Sequence, residues 1–416
     1  MGARFQAGIY RCWRNLLRGL INPRLPFFWD NQSMNNFEWH NPVHLVFGKG
    51  SISRLGQLLP AGEKVMVTWG GGSIKKNGVW DQVTKALAGR DFIDFGGIEA
   101  NPRYETLMRA VELARREKAG FLLAVGGGSV LDGTKFMAAA LRYAGNEPWD
   151  ILEKNARVEG ALPLGAVLTL PATGSEMNGN AVISRSATRQ KLAFGSPRVM
   201  PVFSILDPET TYSLSPRQTA NGIVDTMVHV FEQYLTRDVG NPLNERIAEA
   251  VLKTTIENGR RVMGSPNDYG IRANLMWSAT MALNGLIGVN AAQDWTSHGI
   301  GHELTALYGL DHGQSLAVVS PNVLRYKKAQ KMAMLVKYAR NVWDISGDGE
   351  VMALSGVDRT VESWQSLGVK TRLADYGVGD KDFGFIAGRL CGSGSKMGEN
   401  GDIGQDDVVN ILRMCL

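Results

Sequence analysis

The chain of 416 residues has three cysteines, Cys12, Cys391 and Cys415, none in a C-x-x-C pair. That is too few and too scattered for a disulfide framework, and it points to a reducing compartment. No apolar run reaches the ~18 residues a transmembrane helix needs, so no membrane partner is expected. Acidic residues are missing from the first stretch: Arg4, Arg11, Arg14, Arg18 and Arg24 all precede the first carboxylate, Asp30. The formal net charge of +5 is therefore concentrated there, and the remainder is close to neutral. A nucleic-acid partner loses its electrostatic support. Histidines number only six, so where they fall carries information.

What the chain does have is the balance of a soluble globular protein, 44% hydrophobic and 20% charged residues. Its length suits two or three domains. Glycines number 49, well above the roughly 7% of an average chain, and they follow no collagen-like period. Residues 1–33, rich in Arg and aromatics, have the composition of an organelle transit peptide, which would place the protein in a mitochondrion or another organelle. An upstream in-frame start gives the same pattern and leaves the protein cytoplasmic. From Met34 the segment NNFEWHNPVHLVFGKGSI reads as a short strand pair, with Pro42 suiting an edge.

From about 64 to 210, β-rich runs (KVMVTW, DFIDF, FLLAV, GAVLTL, VFSILD) alternate with helical patterns such as YETLMRAVELARREK. Alternation of this kind predicts a parallel sheet wrapped by helices. After Pro208 the strand runs stop and long apolar-periodic stretches such as NERIAEAVLKTTIENGRRVM take over. The fold class is therefore α/β: an N-terminal Rossmann-like parallel-sheet domain followed by an all-helical C-terminal domain. The expected divisions are a 1–33 extension, a 34–210 dinucleotide-binding domain and a 211–416 helical domain.

Two strand-like runs end in glycine turns, Gly70-Gly71-Gly72-Ser73 and Gly126-Gly127-Gly128-Ser129. A strand that runs into a glycine turn opening a helix presents bare N–H groups to an anion, and two such turns in one sheet suit a dinucleotide. G-x-G-x-x-G fails at Leu131, and Thr134-Lys135 reverses the order a Walker A loop needs, so a nucleotide triphosphatase is disfavoured. The plainer alternative is two sharp turns, with Ser129 and Asp132 forming a helix-capping box. Pro171-Ala172-Thr173-Gly174-Ser175-Glu176 offers a third turn at the same sheet edge, with a second capping box from Thr173 to Glu176.

The helical half carries His229, His298, His302 and His312. Asp225 and His229 are four apart in GIVDTMVHVFEQY, and His298 and His302 repeat that spacing in WTSHGIGHELTAL, which puts each pair on one helix face. Position 306 is alanine and position 299 glycine, so the H-E-x-x-H protease pattern is absent. A set of carboxylate and imidazole without thiolate suits divalent iron or zinc. With five candidates, one histidine is free to carry a proton instead.

These blocks resemble the iron-containing alcohol dehydrogenase family, nearest its bacterial aldehyde reductase and butanol dehydrogenase branch. The resemblance runs from Met34 to the end, through FGKGSI, GGGSIKKNG, LLAVGGGSVLDGTKF, TLPATGSE, ANGIVDTMVHVFEQY and DWTSHGIGHELTALYGLDHGQ. It implies a dehydroquinate synthase-like fold, metal ligands at Asp225, His229, His298 and His312, and a catalytic His302 near the nicotinamide. It also implies that Gly127, Gly128 and Ser129 hold the pyrophosphate, and that Asp132, Thr169, Thr173 and Lys191 face the inner cofactor. At Gly71, Gly72 and Ser73, with Lys75 and Lys76 following, small neutral and cationic groups tolerate a 2′-phosphate, which favours NADP(H) over NAD. The activity implied is interconversion of aldehydes and primary alcohols, in a homodimer, with Trp149, Trp277 and Trp295 as candidate pocket walls. Alternatives within the same fold are a polyol or glycerol-type dehydrogenase and a sugar-phosphate cyclase. A non-catalytic metal- or nucleotide-binding relative is the alternative from another class. Met177, Gly195 and Gly313 depart from the pattern expected of the nearest branch.

Overall fold

The computed structural model describes residues 34–416; the expectations for 1–33 lie outside them. Contacts divide the chain into two compact units, one of residues 40–215 with 266–280 and one of 34–39, 216–265 and 281–416. No helix among the described residues is long and apolar enough to cross a membrane.

The first unit is built on a six-stranded parallel sheet of β1 His44–Phe47, β2 Val65–Trp69, β3 Phe92–Phe95, β4 Phe121–Gly127, β5 Leu164–Leu170 and β8 Phe203–Leu206. Their order across the sheet is β1-β8-β5-β4-β2-β3. The central strands are apolar on both faces, as a sheet covered on both sides requires. Helices of eight or more residues are numbered here; in this unit α1 Val79–Ala86 lies between β2 and β3, α2 Tyr104–Arg116 between β3 and β4, and α3 Gly128–Arg142 between β4 and β5.

The strand order decides where a ligand sits. From β2 the chain moves outward to β3, then returns past β2 to β4 and continues in the opposite direction through β5 to β8. The reversal falls between β2 and β4, which pair from Val65↔Phe121 to Trp69↔Val125. The crevice beyond the carboxyl ends of two such strands is where open α/β sheets bind their ligands. The two glycine turns leave the sheet at those ends.

Two local expectations need correction, and one element goes unread in the sequence. The stretch after Met34 makes one edge strand, β1, paired only with β8, instead of a strand pair. The turn after β2 enters a 3-10 turn, Ser73–Lys75, and α1 starts later, because Asn77 and Gly78 break the chain again. An antiparallel ribbon of β6 Asn180–Arg185 and β7 Gln190–Gly195 is also present. Its alternating burial at Ala181, Ile183, Leu192 and Phe194 is a period-2 signal hidden by short length and polar neighbours.

The second unit is helical: α4 Pro216–Tyr234, α5 Pro242–Val262, α7 Thr296–Tyr308, α8 His312–Tyr326, α9 Lys328–Trp343, α10 Gly349–Ser366, α11 Phe383–Cys391 and α12 Gln405–Met414. The remaining helix, α6 Tyr269–Ala282, runs through Thr280 as part of the sheet unit. One apolar cluster joins Ile300 and Leu304 of α7, Val318, Val319 and Val323 of α8, and Ile411 and Leu412 of α12.

Gly165 of β5 shows how tightly the sheet core is filled: a Cβ there would lie 2.4 Å from the Phe203 ring, which stacks on Phe121. Gly165→Ala is expected to destabilise the protein by about 1–3 kcal/mol through overpacking, read as a lowered urea midpoint. An unchanged midpoint would show that the ring yields freely.

Candidate functional site

The helical unit gathers the histidines. Asp225 and His229 lie on consecutive turns of α4, with His229 Nδ1 3.3 Å from Asp225 Oδ1. His298 of α7 brings Nε2 to 3.7 Å from the same oxygen, and His312, the first residue of α8, brings Nε2 to 3.6 Å. Asp225, His229 and His298 are buried, and their nearest ligand atoms lie within 4.8 Å of one another. Metal–ligand bonds of about 2.0–2.2 Å in a tetrahedral arrangement separate neighbouring ligands by roughly 3.3–3.6 Å, close to the spacing found around Asp225 Oδ1. His229 Nδ1 and His298 Nε2 are buried without a hydrogen bond, which costs free energy unless something else takes those lone pairs. The donor set therefore fits a divalent cation.

His298 is fixed from behind. Its Nδ1 meets Glu232 Oε2, and its backbone N–H donates to Glu232 Oε1 at 3.1 Å. A carboxylate on the far ring nitrogen sets the tautomer and leaves the Nε2 lone pair available to a metal. Burial alone would lower the His298 pKa, but the carboxylates of Glu232 and Asp225 outweigh it and push it up to about 9 in the metal-free protein. Burial dominates at His229 and pushes it down to about 4, which keeps that imidazole neutral. Glu232 is not among the residues picked from sequence. Its signal is the spacing 225, 229, 232, which keeps all three side chains on one face of α4.

His302 sits one turn beyond His298 on α7, its ring 6.1 Å from that of His298 and 5.2 Å from that of His312. Trp295 packs edge-on to His298 at 5.4 Å and to His229 at 6.3 Å. The other two tryptophans lie elsewhere: Trp149 is fully buried against Tyr104 in the sheet unit, and Trp277 is exposed. Gly313 has a structural reason, since a Cβ there would come within 2.6 Å of Asn221 O, where α8 crosses α4.

In the sheet unit, Gly127 ends β4 and Gly128 begins α3. A Cβ on Gly128 would lie 2.6 Å from Thr173 Oγ1, so the turns after β4 and β5 touch. Ser129 and Lys191 are joined through Asn101, whose N–H donates to Ser129 Oγ at 3.1 Å and whose Oδ1 accepts from Lys191 Nζ at 2.8 Å. Asn101, with φ 59°, is another residue the sequence did not single out. Thr169 is buried near the end of β5.

Neither expected capping box forms around these turns. Asp132 accepts from Ser175 Oγ at 2.7 Å and from Val182 N at 3.0 Å, so its carboxylate ties the helix to the third turn and to the ribbon. Burial raises its pKa. Glu176 instead accepts from Thr280 Oγ1. Beneath lies Lys135, fully buried, donating to Ser175 Oγ, Asn178 Oδ1 and Asn180 O.

At the turn after β2, Gly72 adopts φ 92°, which only glycine holds without strain. The local sequence there has no carboxylate, but β3 brings one in. Asp94 accepts from Trp69 Nε1 and from Lys75 Nζ, whose ammonium also lies over the Trp69 and Trp80 rings. Its negative charge is thus already matched by Lys75.

Glu232→Gln is expected to weaken zinc binding by about 10- to 100-fold, the usual effect of losing a carboxylate behind a ligand histidine, as read by chelator competition; wild-type affinity would deny Glu232 this part. A second expectation concerns Lys135, whose burial lowers its pKa from 10.5 to about 8. Between those values the unfolded chain holds more protons than the folded one, so this lysine's contribution to stability rises with pH there. Urea unfolding at several pH values across that window should show wild type gaining on Lys135→Met, and equal slopes would exclude it.

Two family models cover nearly all of the described chain. Residues 42–208 match the iron-containing alcohol dehydrogenase model, and residues 219–416 match the C-terminal model of the Fe-containing alcohol dehydrogenase family. The chain is 51% identical over 377 residues to the NADPH-dependent aldehyde reductase YqhD of Escherichia coli, covering 90% of this chain and 97% of that one. It is 40% identical to the probable NADH-dependent butanol dehydrogenase 1 of Bacillus subtilis, covering 92% and 100%. A crystal structure of E. coli YqhD superposes with a TM-score of 0.91 at 48% identity, covering 92% of this chain and 100% of that one. That of the NADH-dependent butanol dehydrogenase A of Thermotoga maritima gives 0.89 at 36%, covering 92% and 99%. With the histidine cluster on one unit and the glycine turns at the sheet reversal on the other, this chain belongs to the iron-containing alcohol dehydrogenase family.

Proposed function

We propose that the protein is a metal-dependent NADP(H) oxidoreductase that reduces aldehydes to primary alcohols and runs the reverse reaction when alcohol is in excess. The observation that carries this reading is the set of three imidazoles facing one oxygen of Asp225, with Glu232 locking the middle one. Asp225, His229, His298 and His312 are the residues that would hold a divalent cation, iron or zinc by donor type. Such a cation supplies Lewis acidity toward a carbonyl oxygen, and the nicotinamide supplies the hydride.

The chain's own residues do the rest. Gly127, Gly128 and Ser129 offer backbone N–H groups at the amino end of the fifteen-residue helix α3, suited to a pyrophosphate. Thr169, Thr173, Lys191 and Asp132 shape the neighbouring wall, Asp132 by holding the turn of Ser175 in place. His302 is the proton carrier, delivering a proton to the oxygen of the alcohol as the carbon accepts hydride. Trp295 keeps water away from the buried histidines. Preference for NADP(H) is supported by the NADPH-dependent relative and by Gly71, Gly72 and Ser73, where the carboxylate that β3 brings in, Asp94, is matched by Lys75. Residues 34–210 are read as the cofactor domain and 211–416 as the catalytic domain, a division supported by the limits of the two family models. A homodimer acting in the cytoplasm goes with this reading; the free thiols of Cys391 and Cys415 support a reducing compartment.

The test is NADPH oxidation by butanal and a panel of other aldehydes, followed at the nicotinamide absorbance band, with and without a metal chelator. Stripping the metal is expected to slow turnover by on the order of a hundredfold or more, since Lewis-acid stabilisation is worth several kcal/mol. Turnover indifferent to the chelator, or none with any aldehyde, would reject the reading.

A further inference from the structure

A second buried charge cluster in the helical unit centres on Lys331 rather than on the histidines. Lys331 is 2% exposed and donates to three acceptors: Leu235 O at 2.9 Å, Asp294 Oδ2 at 2.9 Å and Glu399 Oε1 at 2.8 Å. Its position is unfavourable on local grounds. It stands in the first turn of α9, three residues after Lys328 and four after Lys327, at the end of a helix dipole that repels cations. Burial works against its charge, and the carboxylates of Asp294 and Glu399 more than compensate, raising its pKa. A buried ion cluster adds little to stability over well-packed apolar residues, and its use is more often to fix one arrangement of the parts around it.

The parts around Lys331 are the ends of the two ligand helices. Leu235 O is one of the carbonyls left without an intrahelical partner just past α4, and α4 carries Asp225, His229 and Glu232. Asp294 precedes α7, which carries His298 and His302. Its Oδ1 accepts from Thr296 N at 3.1 Å and Thr296 Oγ1 at 2.6 Å, capping the first turn, while its own N–H donates to Glu232 O at 2.8 Å. Glu399 has a different second link: its Oε2 accepts from Arg237 N, in the chain beyond α4.

We propose that Lys331 is a positioning residue whose buried ammonium ties the carboxyl end of the Asp225/His229 helix to the amino end of the His298/His302 helix, and so sets the spacing of the metal ligands. The link to α7 passes through Asp294, whereas Glu399 joins Lys331 to Arg237 in the chain beyond α4. This rests on the reading of Asp225, His229, His298 and His312 as a metal site.

The test compares zinc affinity, by competition with a chromophoric chelator, in wild type, Lys331→Met, Asp294→Asn and Glu399→Gln, with thermal unfolding of each. Lys331→Met and Asp294→Asn are expected to lose about 10- to 100-fold in affinity, as for other partners that orient ligands from behind. Glu399→Gln keeps the Lys331–Asp294 pair and should hold zinc nearly as wild type does, even where it unfolds earlier. Affinity that tracks melting temperature across all three variants, or that stays unchanged in the first two, would overturn the proposal. Should Lys331→Met fail to fold, Asp294→Asn against Glu399→Gln decides by the same criterion. If wild type itself takes up no zinc or iron, the metal-site reading falls and this inference with it, whereas wild-type binding that the first two variants share refutes the inference alone.

Discussion

A carboxylate held almost completely out of water must be matched by positive charge or by close hydrogen-bond donors, because desolvation of an ion costs several kcal/mol even after relaxation. Asp225 is 3% exposed, and the groups closest to its Oδ1 include three imidazole nitrogens at 3.3–3.7 Å. Those rings are too far for good hydrogen bonds to that oxygen and too close to ignore it. A doubly charged ion would resolve the conflict, since it would neutralise the carboxylate and take up the imidazole lone pairs together. Three helices, α4, α7 and α8, bring imidazoles to that one oxygen.

The helix ends do this work. α4 and α7 meet where Glu232 accepts from His298 through both carboxylate oxygens, and where the Asp294 N–H reaches the Glu232 carbonyl. Polar groups at helix termini must find partners in any case. Here they find them on the helices that carry Asp225, His229 and His298, so satisfying the backbone and aligning these side chains become one task. α8 adds His312 from its first residue, and the approach of α8 to α4 at Gly313 leaves no space for a side chain.

The sheet unit obeys a different constraint. A dinucleotide needs bare backbone N–H groups at a strand end, and close approach of the turns there is possible only without side chains. Gly128 lies against Thr173, and Gly72 takes a left-handed conformation. Beneath these turns Lys135, Asp132 and Ser175 form a buried polar network that joins the helix to the third turn and the ribbon. The glycine turns are therefore set on hydrogen-bonded polar groups as well as on apolar packing.

Period-2 and period-3.6 patterns, glycine at strand ends and i, i+4 pairing were enough to read the alternating first half, the helical second half, both glycine turns and the members of the histidine cluster. These are local properties: they follow from side-chain direction along a strand or helix and from what a turn demands. The β6–β7 ribbon, the cationic match to Asp94, the hold of Glu232 on His298, the bridge of Asn101 between Ser129 and Lys191, and the setting of Lys331 were not legible. Each joins residues from 19 to 96 positions apart, or depends on which neighbour a short strand finds. By itself the sequence determined which side chains are candidates to hold phosphate and metal, because that is a matter of chemical type and local spacing. Only the tertiary structure decided which groups stand behind them, because a buried charge or an unfilled hydrogen bond takes its partner from whatever the packing brings within reach.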